Sequence, residues 1–176
     1  GWVGVSINYR LAPRSAFPAQ MMDVKKAIAW VKDNIAEYGG DPNFIVVTGG
    51  SAGGHLSLLA GLTPNHADWQ TGFEHVDTAV QGVLALYPVV DLTNRHGIRQ
   101  QSNMDSFIAQ RIIQQSREEA PAIYEDGSPI SWIHRPGVAE AAPPMFIVQG
   151  THDSLVWVEE VRRFVAELSP IAAAPV

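Results

Sequence analysis

Ser51 is the residue best suited to chemistry, because small residues surround it in the pattern Gly49-Gly50-Ser51-Ala52-Gly53. A serine with such neighbours can sit on a sharp, strained turn, a nucleophile elbow, and Gly49 and Gly53 are expected to give the chain the room it needs. The Ser51 hydroxyl would then act as a nucleophile at a helix N-terminus, where free amides and the helix dipole favour a developing oxyanion. The Ala52 amide follows the nucleophile and is the predicted oxyanion donor.

The segments on either side of this turn support a catalytic interpretation. Residues 44–48 form a short apolar run that is typical of a buried parallel strand, and Leu56, Leu59 and Ala60 begin a helix. Strand, turn and helix in this order are the setting in which G-x-S-x-G holds a nucleophile. Glycine-rich turns also bind phosphate, but neither the P-loop spacing nor the dinucleotide-binding spacing is present. A turn of small residues without chemistry remains the alternative.

The pattern of strands and helices along the chain predicts a three-layer α/β fold with a mostly parallel sheet and helices on both faces. Helices are predicted at residues 20–37 and 156–168, and strands at residues 2–9, 44–48, 79–87 and 145–149. Residues 91–142 interrupt this alternation and are too long for an ordinary connection. They are interpreted as a lid-like insertion over the carboxyl edge of the sheet, with a plain surface insertion as the alternative.

Composition excludes several classes of function. The 176 residues carry 12 Lys+Arg against 18 Asp+Glu, a formal charge of −6, so no nucleic-acid partner is expected. No apolar run approaches the roughly 20 residues of a membrane span. The chain has no Cys, which excludes disulfides and thiolate metal sites, and no His and carboxylate pair has metal-ligand spacing. We therefore expect neither a metal nor another cofactor.

Several short motifs are spread over nearly the whole chain. They are Asn8-Tyr9-Arg10-Leu11-Ala12-Pro13, Phe17-Pro18-Ala19, Asp23, the turn at 49–54, Tyr87-Pro88 with Asp91-Leu92-Thr93, and Gln149-Gly150-Thr151-His152-Asp153-Ser154-Leu155-Val156. Together they resemble the hormone-sensitive-lipase-like branch of the α/β-hydrolase carboxylesterases. Gly50 departs from that pattern, since the branch often has Asp before the nucleophile.

This resemblance implies a triad in the chain order Ser, Asp, His. Ser51 matches the nucleophile, and Asp153 matches the acid that would hold the histidine in its tautomer. Asp153 also follows a predicted strand, at the sheet edge where α/β sites lie. The alternative for Asp153 is a helix cap. Asp91 is the other acid candidate, and Asp23 is expected to be structural and to pair with Arg10.

The catalytic histidine of this family follows the acid, and no histidine follows His152 in the sequence. His55 lies one helical turn after Ser51 and is expected to be a packed residue beside the site. His152 neighbours Asp153 but cannot readily reach Asp153 and Ser51 together. The remaining histidines are expected to be solvated in polar connections: His66, His75, His96 and His134. The catalytic histidine is therefore expected to be absent from this chain.

The resemblance also implies a His-Gly-Gly oxyanion motif ahead of Gly1, so we expect a nearly inert fragment of a larger hydrolase. The parent is expected to hydrolyse small-molecule esters with short- to medium-chain acyl groups through an acyl-Ser51 intermediate. A serine peptidase or amidase of the same fold is one alternative. A non-catalytic relative that binds apolar ligands is the other.

Overall fold

Three parallel strands form the sheet in a computed structural model that describes residues 1–100 and 103–176. Gln101 and Ser102, within the predicted insertion, lie outside the described residues. The strands lie in the order β1 (Val46–Gly50), β2 (Gly82–Leu86) and β3 (Met145–Val148). In register, Gly50 pairs with Leu86 of β2, and Leu86 pairs with Val148 of β3. All three strands therefore end at one edge of the sheet, as the predicted parallel arrangement requires.

Two long helices surround the strand that leads to Ser51. α1 (Ala19–Asn34) continues into a 3₁₀ turn, Ile35–Tyr38, and packs against α2 (Ala52–Leu62). Every residue of α2 from Gly54 onward is buried, because the helix is enclosed by β1, β2 and α1. A helix that is apolar on all sides packs in a core, and α2 does so.

A buried lysine joins α1 to the end of α2. Lys25 Nζ donates to the backbone oxygens of Ala60, at 3.3 Å, and Thr63. The last carbonyls of a helix lack intrahelical partners and carry partial negative charge, which the lysine offsets. Burial lowers the pKa of Lys25 to about 7. This contact fixes the far end of the helix that begins beside Ser51.

The predicted strand at residues 2–9 is wrong. These residues have no regular secondary structure, and the side chains of Trp2, Val3 and Val5 are 77%, 43% and 43% exposed. High β-propensity produces a strand only where a neighbouring strand completes the hydrogen-bond ladder. Among the described residues, β1 pairs only with β2, so residues 2–9 have no ladder to join.

An apolar groove of about 800 Å³ lies beside β1. Residues 1–5, Ile7 and Tyr9 line one part of it, Val24, Ile28 and Val31 of α1 another, and Val46 and Val47 of β1 a third. The extended segment at the start of the chain therefore borders the same groove as α1 and β1.

Residues 91–142 contain several short helices rather than one regular element. They are α3 (Met104–Phe107), a π-helix (Ile108–Ile113), α4 (Pro121–Asp126), α5 (Pro129–Trp132) and α6 (Val138–Ala141). The spacing of apolar residues in Met104–Ile113 is helical, and this stretch forms α3 and the π-helix. Buried side chains of this segment belong to the common core: Met104, Ile108, Ile113, Tyr124, Ile130 and Ile133. The segment is thus built into the core of the fold.

The last helix, α7 (Val158–Leu168), is held to residues 91–142 by a buried ion pair. Arg99 has a fully buried side chain and contacts Glu160 of α7 at 2.6 Å. The same guanidinium donates to the backbone oxygens of Asp91 and Leu92, at 2.5 and 3.4 Å. α7 is therefore fastened to the loop that leaves β2.

Candidate active site

Ser51 occupies a strained turn between β1 and α2, as the sequence predicts. Its backbone angles are φ 52° and ψ −115°, and α2 begins at the next residue, Ala52. A residue with a side chain in this sparsely populated region costs about 1–3 kcal/mol, a strain that the surrounding structure must support. The predicted elbow geometry is confirmed.

Close packing around the elbow depends on Gly49 and Gly54. A Cβ added to Gly49 would lie 2.6 Å from the backbone carbon of Gly53, and one added to Gly54 would lie 2.9 Å from the backbone oxygen of Leu86. A Cβ added to Gly53 would meet no atom within 4 Å. The expectation that Gly53 provides room is therefore wrong, because a side chain at position 53 would point into open space. It is Gly49 that must lack a side chain, since it packs against the backbone of Gly53.

The elbow is tied to the neighbouring strand by the Ser51 backbone amide, which donates to the Leu86 oxygen at 2.9 Å. Ala52, by contrast, is exposed at the first position of α2. The first amides of a helix have no intrahelical acceptor, so the Ala52 N–H can stabilise an oxyanion formed at the serine.

Asp153 lies in a tight turn beyond the end of β3. Its Oδ1 accepts from the amides of Leu155 and Val156, both at 2.9 Å, while Gln149 Nε2 approaches Oδ2 at 3.3 Å. The backbone hydrogen bonds from Val156 and Leu155 lower the pKa of Asp153, so it is ionised at neutral pH. The helix-cap alternative is wrong, because α7 begins later, with Trp157 at its N-cap.

Ser51 and Asp153 follow β1 and β3, with β2 between them. Neighbouring strands lie roughly 4.8 Å apart, so the strands that lead to these two residues are separated by about 10 Å. That separation leaves space for a group that bonds to both side chains. In the described part of the chain, Oδ2 of Asp153 has only the long contact from Gln149, and it is the oxygen available to such a group.

The other two aspartates have structural partners. Asp91 is 3% exposed, and its carboxylate accepts from the amides of Thr93 and Arg95 in its own loop, at 2.7 and 2.9 Å. Its hydrogen-bonding capacity is used locally, which disfavours it as the acid. Asp23 pairs with Arg10 at 2.8 Å, as predicted.

His55 is buried beside the elbow, and its hydrogen bond disfavours a catalytic role. Its Nδ1 lies 2.8 Å from the Val89 oxygen, and since a carbonyl can only accept, Nδ1 carries the proton. Burial lowers the pKa of His55 to about 4, so the ring is neutral at pH 7. The prediction of a packed residue is confirmed. His152 is exposed and contacts Thr151 through Nδ1 at 3.0 Å.

His96 and His134 are exposed, as expected, while His66 is half-buried. His96 and His134 contact the two carboxylate oxygens of Glu167 on α7, at 3.1 and 2.9 Å. His66 stacks on Trp69 with ring centroids 4.5 Å apart. His66 also meets Trp132 edge-on with ring centroids 5.2 Å apart, a contact that its polar surroundings in the sequence do not reveal. His75 is exposed, as expected.

Tyr87 was missed as a site residue by reasoning from the sequence. It has φ 40°, a left-handed backbone that side chains rarely adopt, and its side chain is 45% exposed. Tyr87 directly follows β2, so it lies at the same sheet edge as Ser51. The signals in the sequence were its place at the end of a predicted strand and the Tyr87-Pro88 motif.

Other types of site find no support in the described part of the chain. None of its helices combines the length and apolar character needed to cross a bilayer. Nor do residues 1–100 and 103–176 group three side chains of His, Asp or Glu in a way that could hold a metal ion.

Comparison with known proteins gives consistent matches. Residues 1–168 match the family described as BD-FAE. The whole chain is 45% identical to the "Probable carboxylic ester hydrolase LipM" of Mycobacterium tuberculosis (strain ATCC 25618 / H37Rv), and it spans 39% of that relative's length.

Solved structures agree with the sequence matches. A "Truncated form of carbohydrate esterase from gut microbiota" has a TM-score of 0.81 and 28% identity, over 97% of this chain and 62% of the other. "Thermogutta terrifontis esterase 2 phosphonylated by sarin" has a TM-score of 0.73 and 26% identity, over 96% of this chain and 58% of the other.

Proposed function

Because this chain belongs to the BD-FAE family and has the α/β-hydrolase fold, we propose that the protein containing it hydrolyses carboxylic esters, with Ser51 as the nucleophile. The observation that carries this proposal is the strained backbone of Ser51 at the junction of β1 and α2. Relatives named as ester hydrolases and esterases support the reaction class. We take small-molecule esters with short- to medium-chain acyl groups as the substrates.

The proposed reaction uses the Ser51 hydroxyl, the Ala52 amide and a base that Asp153 orients. The Ser51 hydroxyl attacks the ester carbonyl, its proton passes to a base, and the new oxyanion accepts a hydrogen bond from Ala52 N–H. Collapse of this intermediate breaks the bond to the alcohol, which leaves with the proton from the base. Water then attacks the acyl-Ser51 ester and releases the acid. Asp153 would orient the base and stabilise its charged form.

The base is a histidine that this chain does not itself place between Ser51 and Asp153. His55 is occupied by Val89, while His96 and His134 bind Glu167. The chain spans about two fifths of its curated relative, so the remaining length of such proteins is where we seek the base.

We interpret residues 91–142 as a fixed wall of the substrate site rather than a mobile lid. The segment leaves the carboxyl edge of the sheet just after β2, and its π-helix reaches the segment ahead of α1, where Phe17 N donates to Ile112 O at 3.3 Å. Gln114 Nε2 also donates to Pro13 O at 3.1 Å. A segment with such anchors and a buried core contribution is held in place.

Labelling with a serine-directed phosphonate tests the nucleophile. We expect the complete gene product to gain the mass of one phosphonyl group on the peptide that holds Ser51, and Ser51→Ala to lose both labelling and ester turnover. The expected fall in turnover is on the order of a millionfold. Ser57→Ala is the matched control, because this α2 hydroxyl is bonded to Gly53 O at 2.8 Å and is buried. Label on another residue, or none, would reject the assignment.

A further inference from the structure

Tyr87 lies at the middle of the proposed site. It follows β2, whose neighbours β1 and β3 lead to Ser51 and Asp153. A group that bridges these two residues must therefore stand above the end of β2. Although aromatic rings contribute most when buried, the Tyr87 side chain is 45% exposed at this position.

Tyr87 is held in its left-handed conformation by its neighbours. The preceding oxygen, of Leu86, accepts from Ser51 N at 2.9 Å, and Tyr87 N donates to Val148 O at 2.6 Å. Two residues later, Val89 O accepts from His55 Nδ1 at 2.8 Å. With both sides fixed, φ 40° is the conformation left to Tyr87, and such strain collects at functional sites.

The Tyr87 ring occupies the space next to the nucleophile. A Cβ added to Gly50, the residue before Ser51, would lie 2.5 Å from the Tyr87 hydroxyl oxygen and 2.8 Å from Cζ. The phenol therefore fills the volume in which a side chain at position 50 would begin. Gly50, which has no side chain, leaves this volume to the Tyr87 ring.

We propose that Tyr87 contacts the substrate and sets the size of the alcohol group that the site accepts; this inference rests on the proposed ester hydrolysis. The base must donate a proton to the departing alcohol, so the alcohol lies on the side of the base. A base between Ser51 and Asp153 stands above the end of β2, where Tyr87 is. The ring thus limits the alcohol side and not the acyl side.

Two series of esters test this in the complete gene product. One series keeps the acetyl group and enlarges the alcohol from ethyl to butyl to benzyl, and the other keeps p-nitrophenol and lengthens the acyl chain. We expect Tyr87→Ala to raise the ratio of kcat/KM for benzyl over ethyl acetate at least tenfold, the scale of one or more groups newly fitted into a pocket. The acyl-chain profile should stay parallel to that of the wild type. Tyr87→Phe, which keeps the ring, should keep the wild-type alcohol profile.

Substitution of Gly50 tests the same ring, because a side chain at position 50 would contact it. Gly50→Ala should displace the Tyr87 ring and alter the alcohol profile, whereas adding Gly50→Ala to Tyr87→Ala should change it little. Phosphonate labelling of Ser51 in each variant checks that the elbow is formed.

The outcomes separate this inference from the proposal beneath it. A wild-type protein that is neither labelled nor active on any ester rejects the proposed function and this inference together. An active wild type whose Tyr87→Ala variant keeps the same alcohol profile, or shifts only in the acyl series, rejects the role of Tyr87 alone.

Discussion

Replacing His55 should change how the unfolding free energy of the protein depends on pH. The ring is 8% exposed, and burial lowers its pKa from 6.5 to about 4. In the unfolded chain His55 takes up a proton near pH 6.5, while in the folded protein it resists protonation until about pH 4. A group whose pKa is lower in the folded state contributes stability that is lost as the pH falls through this window.

The size of this loss follows from the two pKa values. Each unit of difference corresponds to about 1.4 kcal/mol, so acidification from pH 7 to pH 4 should cost about 3 kcal/mol through this one side chain. His55→Gln keeps an amide donor for the Val89 oxygen and does not titrate. His55→Leu removes the donor as well, and should cost a further 1–3 kcal/mol at every pH because that oxygen loses its partner.

Urea unfolding followed by tryptophan fluorescence at several pH values measures the effect. The quantity to compare is the difference in unfolding free energy between wild type and His55→Gln, because all other titrating groups cancel in it. We expect this difference to favour the variant by about 3 kcal/mol more at pH 4 than at pH 7. Curves that stay parallel across this range would refute the assignment of a buried, neutral ring.

Two paired substitutions test the packing described above. Gly49→Ala should destabilise the protein by more than about 2 kcal/mol and abolish phosphonate labelling, because its Cβ would press on the backbone of Gly53, whereas Gly53→Ala should gain about 0.5–1 kcal/mol in urea unfolding. Equal effects of the two substitutions would contradict the contacts at the elbow. Arg99→Met should lower the unfolding free energy by about 3–5 kcal/mol at pH 8, because Glu160 stays buried without its partner. Arg95→Met, which breaks the more exposed pair with Glu125, should lower it by under about 1 kcal/mol. The Arg99→Met loss should shrink at pH 5, since burial raises the pKa of Glu160 to about 7 and protonation then removes the unpaired charge; a loss independent of pH would count against this.

Local patterns were sufficient to predict the elbow. The strand before Ser51, the turn of small residues and the helix after it all lie within a short stretch, so each supports the others without distant contacts. The parallel direction of the strands was equally accessible, because a strand followed by a helix returns to the same sheet by a crossover that keeps the strands parallel. For these parts the sequence pattern and the fold agree.

Distant partners account for the predictions that were wrong. Residues 2–9 have the composition of a strand, but a strand needs a hydrogen-bond ladder, and β1 does not pair with them. His66 lies in a polar connection, and only the fold brings the ring of Trp132 to within 5.2 Å of it. Tyr87 was overlooked for a related reason, since its left-handed backbone is imposed by hydrogen bonds to Ser51, Val148 and His55 that sequence spacing does not reveal.

The groove beside β1 has a consequence for the handling of residues 1–176 as an isolated polypeptide. A strand with one unpaired edge presents a row of amides and carbonyls that can template another strand. Here that edge adjoins an apolar cavity of about 800 Å³, so an incoming β-segment would gain both backbone hydrogen bonds and apolar contacts. Self-association should therefore compete with the folded monomer as concentration rises. The same surface would disappear wherever a further segment of chain covers it.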